Sequence, residues 1–417
     1  MSDEVGQPNA PVTGKRDGRL ALALVVIGLQ VLGGYTFVVM PVFAQAVQIH
    51  FALTDGGLGF LLGCGTLGSL VSLLLVGPAT ARFGARRLLQ LCLVGLGLGL
   101  VGMGLGRELL VFEAGLIIAG FFGSAMGVTA SVFLMTLYPA LKRRILTISL
   151  VSISAPGIIF PILAEKLIAA AKAGQMGFAT ILHTPFLIAG ATLIALQFSL
   201  SLAARNGASS DTERREPFDA RVLLSAPALL VILLATLHAA SDNALWQWMP
   251  KFMESSFDEL AIGTGTMLAL VSVVYVLSRL GLAALPEGYG QRAFLALPGL
   301  LGGSILLAVI WVGGPLAIAL GYPLAAFMFS VEYPTLLSEV RASSAARFST
   351  IFAAAVWISN LVTVLEVNLI GQIGERTGDL RIGLSVAAAG FVAFGLIALA
   401  TGLGRGRQQL DEEHSTD

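Results

Sequence analysis

Hydrophobic and polar positions alternate along this chain in long blocks. Apolar runs, nearly free of charge, cover residues 20–46, 57–76, 88–106, 109–137, 146–170, 185–203, 222–249, 262–285, 293–312, 316–337, 348–370 and 382–403. At about 1.5 Å per helical residue, runs of roughly 20 residues cross the ~30 Å hydrocarbon core of a bilayer. A soluble helix would interleave polar positions on its outer face. The pattern predicts an all-α polytopic membrane protein with twelve transmembrane helices. The first run exceeds the roughly 7–15 residues of a signal-peptide core and reads as a retained span.

The polar breaks divide the chain. Residues 1–19 form a polar tail, and residues 205–221 gather Asp211, Glu213, Arg214, Arg215, Glu216 and Asp219 in a Ser/Gly/Asn setting. This predicts two six-helix bundles, 20–204 and 222–404, joined by a linker at 205–221 and followed by a tail at 405–417. An even number of spans puts both termini on one side. Lys and Arg accumulate in cytoplasmic loops. With the N-terminus inside, 19 of the 25 basic residues fall on the cytoplasmic side and 6 outside. The expected location is the cell membrane, with both termini cytoplasmic.

Composition agrees: 56% of residues are hydrophobic, only 12% are charged, and mean hydropathy is +0.86. Basic and acidic residues balance at 25 each, so no basic excess suggests a nucleic-acid partner. The 49 glycines suit close helix contacts in lipid. Cys64 and Cys92 lie inside apolar runs, which leaves neither a disulfide framework nor a cysteine metal site. No metal or cofactor is expected. The chain also lacks a phosphate-binding Gly-x-x-x-x-Gly-Lys-[Ser/Thr] loop, a His-Glu-x-x-His pair and a nucleophile elbow, so an enzyme reading finds no residues.

Between the second and third runs lies Gly77-Pro78-Ala79-Thr80-Ala81-Arg82-Phe83-Gly84-Ala85-Arg86-Arg87, read as a short basic turn. It resembles the loop between helices 2 and 3 of the major facilitator superfamily, Gly-x-x-x-Asp-Arg-x-Gly-Arg-x-Arg. Gly77, Arg82, Gly84 and Arg87 stand at matching positions, with Ala81 in place of the acid and Ala85 in place of a base. The resemblance implies two six-helix bundles around a central cavity and alternating access. At the cytoplasmic face, Gly77, Arg82, Gly84, Arg86 and Arg87 read as a gating latch; the alternative is simple topogenic charge. Two short internal matches suit a 6+6 repeat. Phe83-Gly84-Ala85-Arg86 pairs with Tyr289-Gly290-Gln291-Arg292, and Tyr138-Pro139-Ala140-Leu141 with Tyr333-Pro334-Thr335-Leu336. The stretch from Val331 to Leu336 also resembles the fucose-permease branch, although span 1 lacks a carboxylate for a proton site of that kind.

Ionisable groups inside spans are costly and point to function. His238, Asp242 and Trp246 follow each other at four-residue spacing on one face of span 7, past its middle toward the outside. A carboxylate in a low dielectric favours its neutral form, and a neighbouring imidazole exchanges protons near neutral pH. This group is the first candidate for a proton or substrate site; the alternative is a wet interfacial helix end. Glu366, on a face with Trp357, Asn360 and Thr363, and Glu332, beside Pro334, either face a cavity or hold bundle packing. Gln30, Gly34, Phe37, Pro41 and Gln45 stripe one face of span 1, with Tyr35 nearby. That stripe either lines a cavity or bonds to a neighbouring helix. Glu113 reads as interfacial, and Glu165-Lys166, near the outer end of span 5, as a local or interfacial pair. The residues together suggest a monomeric secondary transporter of a small organic solute, driven by protons. The rival readings are a multidrug or metabolite exporter and a non-transporting receptor or assembly factor.

Overall fold

A computed structural model describes residues 13–138, 148–149, 151–203, 220–257, 259, 261–285, 291–343 and 345–402. Among these, twelve helices are long and apolar enough to cross a membrane. Spans 1–6 are Arg19–His50, Asp55–Thr80, Ala85–Leu105, Leu109–Leu134, Val151–Lys172 and Ala179–Phe198. Spans 7–12 are Ala226–Ser256, Thr264–Leu282, Arg292–Val312, Pro315–Leu337, Thr350–Thr377 and Leu380–Thr401. They form two six-helix bundles that meet where span 2 packs on span 11, span 5 on span 8 and span 1 on span 7. The basic cluster Lys142-Arg143-Arg144, most of the expected linker, Pro139-Ala140-Leu141 and Tyr289-Gly290 of the repeat matches, the outer part of the N-terminal tail and all of the C-terminal tail lie outside the described residues.

Each bundle has an aromatic core. Phe43, Phe112 and Phe186 are buried together in the first, Phe329, Phe391 and Phe394 in the second. The outward faces are apolar as well: Leu98, Leu110, Ile188, Leu320 and Leu365 are exposed. Such surfaces belong in lipid, where exposed apolar area carries no penalty.

The structure revises several expected boundaries. Span 7 runs to Ser256 rather than 249, so its middle falls at Ser241 and His238 lies on the side opposite to the one expected. The basic turn at 77–87 is largely helical: one helix continues to Phe83, the next starts at Ala85, and the reversal is confined to Gly84. Ala79, Ala81 and Arg82 are good helix formers, whereas Gly84 has φ +77° and ψ 149°, a conformation open to glycine alone. Span 10 breaks at Ser330, between helices Pro315–Phe329 and Glu332–Ser343. Pro334 explains the position, because its ring has no N–H to offer the carbonyl of Ser330 and displaces it. Span 1 breaks at Gly34, between Thr13–Gly33 and Tyr35–His50.

Candidate functional site

A cavity of about 340 Å³ lies between the bundles. Span 1 contributes Phe37, Val38, Met40 and Pro41, and spans 2, 4 and 5 add Leu62, Thr66, Ser69, Leu116 and Ser154. The facing wall is Asp242, Asn243, Trp246 and Gln247 of span 7, Ser272, Tyr275 and Arg279 of span 8, and Asn360 of span 11. Both charged lining residues, Asp242 and Arg279, therefore belong to the second bundle.

The wall is held by local bonds. The Tyr275 hydroxyl donates to Asp242. The Arg279 guanidinium lies 5.0 Å from the Tyr275 ring centre, and its Nε is buried without a hydrogen-bond partner. Asn243 and Asn360 donate to carbonyls of their own helices, Ala239 at 2.7 Å and Val356 at 2.8 Å. Trp246 donates across the bundle interface to the Phe37 carbonyl at 3.3 Å. That carbonyl is available because Pro41, four residues on, has no N–H to bond it.

Of the residues singled out by sequence, Asp242, Trp246 and Asn360 come together on this wall. His238 and Glu332 do not: they pair with each other inside the second bundle, 2.9 Å apart, with side chains 3% and 0% exposed. Rings of Phe329, Tyr333, Phe391 and Phe394 surround His238. The four-residue spacing on span 7 thus does not make His238 the partner of Asp242. The competing partner sits on another helix, at the break in span 10. Gln30 is buried against Ser149 and Ser152, before and within span 5, bonded at 2.9 and 3.1 Å, which is the helix–helix alternative for that residue, whereas Phe37 and Pro41 of the same stripe line the cavity. Tyr35 packs edge-on against Phe160 and Phe186. Glu366 is half-buried and away from the lining. Sequence reading missed Arg279 and Tyr275, since a single arginine late in span 8 counts equally well as a cytoplasmic charge.

Contacts between the bundles gather beyond the cavity, at the end assigned outside. Lys251, 5% exposed, pairs with Asp55, and Gln48 bridges both, accepting from Lys251 at 2.6 Å and donating to Asp55 at 2.8 Å. Glu375 of span 11 accepts the Thr54 hydroxyl and the Gly56 N–H, each at 3.1 Å, at the start of span 2. Glu165 of span 5 accepts the Thr266 N–H at 2.7 Å and its hydroxyl at 3.1 Å, at the start of span 8. Glu165 is thus a bridge between bundles rather than a local partner of Lys166. Helix N-termini attract carboxylates through unpaired N–H groups and the helix dipole. Gly265 permits the approach, since a β-carbon there would sit 2.1 Å from the Pro161 carbonyl oxygen.

The Major Facilitator Superfamily description matches residues 24–365, and the chain belongs to that family. Members of this family are transporters. No curated protein matches the chain in sequence. Among solved structures it is similar to a D-xylose-proton symporter, with TM-score 0.70 and 13% identity over 91% of this chain and 97% of that one. It is also similar to a bacterial homolog of the human lysosomal transporter Spinster. In the inward-facing unoccupied form the TM-score is 0.67 at 15% identity, covering 94% of this chain and 96% of that one. In the inward-facing occupied form it is 0.64 at 13%, with the same coverages. At these identities the likeness establishes the fold.

Proposed function

We propose that the chain is a secondary active transporter that moves a small organic solute by alternating access, coupled to protons. One observation carries this reading: the cavity is walled by both bundles and capped at one end by polar contacts between them. A cavity shared by two bodies changes access when the bodies rock, and a solute that binds the two arrangements differently biases the exchange. The excess of basic residues on the other side marks the capped end as external, with both termini cytoplasmic in the cell membrane. The linker at 205–221 then joins the bundles inside the cell, and the working unit is a monomer.

Asp242 is the proposed coupling group. It is the carboxylate of the wall, and protonation removes a charge that would have to be enclosed when the cavity closes. The structurally similar D-xylose-proton symporter supports proton coupling on this fold. The test is reconstitution into liposomes with an imposed pH gradient and a panel of solutes. Parent protein should accumulate substrate, and Asp242→Asn should exchange it between loaded compartments without accumulating it. Accumulation by Asp242→Asn equal to the parent would remove Asp242 from coupling, and binding without flux would favour a receptor.

A further inference from the structure

We infer that the transported solute carries a carboxylate and that Arg279 is its anchor, an inference that rests on the transporter reading above. The lining has one cationic side chain, and the hydrogen-bonding state of the wall sets it apart. The Ser69 hydroxyl donates to the carbonyls of Gly65 and Gly120. Asn243 and Asn360 each give one amide N–H to a carbonyl of their own helix. Arg279 differs, for its Nε is buried and unmatched while the Tyr275 ring holds the guanidinium plane. A buried donor without an acceptor is costly, and an incoming oxyanion removes that cost through a charge-assisted bond.

Asp242 does not already fill this role. It shares the cavity wall with Arg279, but it takes its hydrogen bond from Tyr275. Among the other lining residues, Phe37, Leu62, Leu116 and Trp246 offer apolar surface to the remainder of the solute. A cavity of about 340 Å³ fits a small molecule. A small monocarboxylate with an apolar remainder matches both features.

Charge balance then links the two sites. An ionised Asp242 would cancel Arg279 in the empty cavity, an arriving carboxylate adds one negative charge, and a proton on Asp242 removes one. Other ionisable groups near this corner are Tyr275 on span 8, His238 on span 7, and Tyr322 and Glu332 on span 10. Span 5 offers Ile153 and Ser154, which do not ionise. Carboxylate binding should therefore tighten as pH falls, and Asp242→Asn should bind carboxylate tightly across the whole range.

The test is counterflow in proteoliposomes containing the full chain, with acetate, butyrate and benzoate, their primary amides, and a neutral hexose. The expected result is a preference of about tenfold or more for a carboxylate over its amide, lost in Arg279→Gln and partly kept in Arg279→Lys. The comparison of acid with amide in the parent protein stands even where a variant fails to fold. Equal transport of amides or hexose, or a preference that survives in Arg279→Gln, overturns the anchor and leaves the transporter reading intact. No exchange of any solute by folded protein overturns both.

Discussion

Glu165 and Glu375 stand 210 residues apart and accept from backbone amides, Thr266 and Gly56, that are also 210 residues apart. Each bundle caps a helix N-terminus of the other, at positions spaced alike in the two halves. Capping bonds contribute about 0.5–2 kcal/mol each. Glu165→Ala or Glu375→Ala should shift the equilibrium toward external opening by roughly two- to thirtyfold, and the double variant should shift it further. External thiol labelling of Ser272→Cys, in a background with Cys64 and Cys92 replaced by serine, reads this out. Unchanged labelling in the double variant would show that the caps do not control access.

Lys251 and Asp55 make the second closure. Lys251 is almost fully buried, so removing only its partner strands a charge. Asp55→Asn should lower the melting temperature more than the double variant Asp55→Asn/Lys251→Met. Thermal unfolding in detergent compares them, and a double variant less stable than the single would refute the account.

The His238–Glu332 pair lies outside the cavity lining. It ties span 7 to the break in span 10, and the Ser278–Ser330 bond ties span 8 to the same point. Glu332→Gln keeps a hydrogen bond to the imidazole and should be tolerated better than Glu332→Ala. Solute affinity should remain near the parent value in Glu332→Gln. A tenfold change in affinity without loss of stability would bring the pair back into the binding site.

At Gly84 the constraint is backbone conformation alone, because an added β-carbon would meet nothing within 4 Å. Gly84→Ala and Gly84→Val should therefore cost similar amounts, about 1–3 kcal/mol. Both should slow transport with substrate affinity nearly unchanged, as expected of a hinge at a bundle face. Measured uptake at saturating and limiting solute separates the two effects.

The fold was legible because bilayer thickness imposes one length scale on every span, and twelve runs repeat it. Positions of kinks were readable in part: Pro334 marks the break at Ser330, but nothing local announces that span 7 continues seven residues past Met249. The site was legible along one helix and not across helices. Periodicity placed Asp242 and Trp246 on one face, and both line the cavity. It also placed His238 there, whereas a carboxylate 94 residues away engages His238. Arg279 was hidden because its charge has two readings, topological and chemical, and only its neighbours distinguish them.

The bond from Trp246 to the Phe37 carbonyl makes the protein its own optical gauge. Pro41 in the first bundle exposes the acceptor, and the indole arrives from the second, so relative motion of the bundles changes the surroundings of this ring. Two residues on, Trp248 bonds the Val367 carbonyl at 3.0 Å, is fully buried, and sets its ring edge against Gly59 of span 2, so it too lies at the seam between the bundles. Rocking of the bundles would change the surroundings of both rings. The emission of unlabelled protein should then follow the transport cycle, and Trp246→Phe should diminish the change.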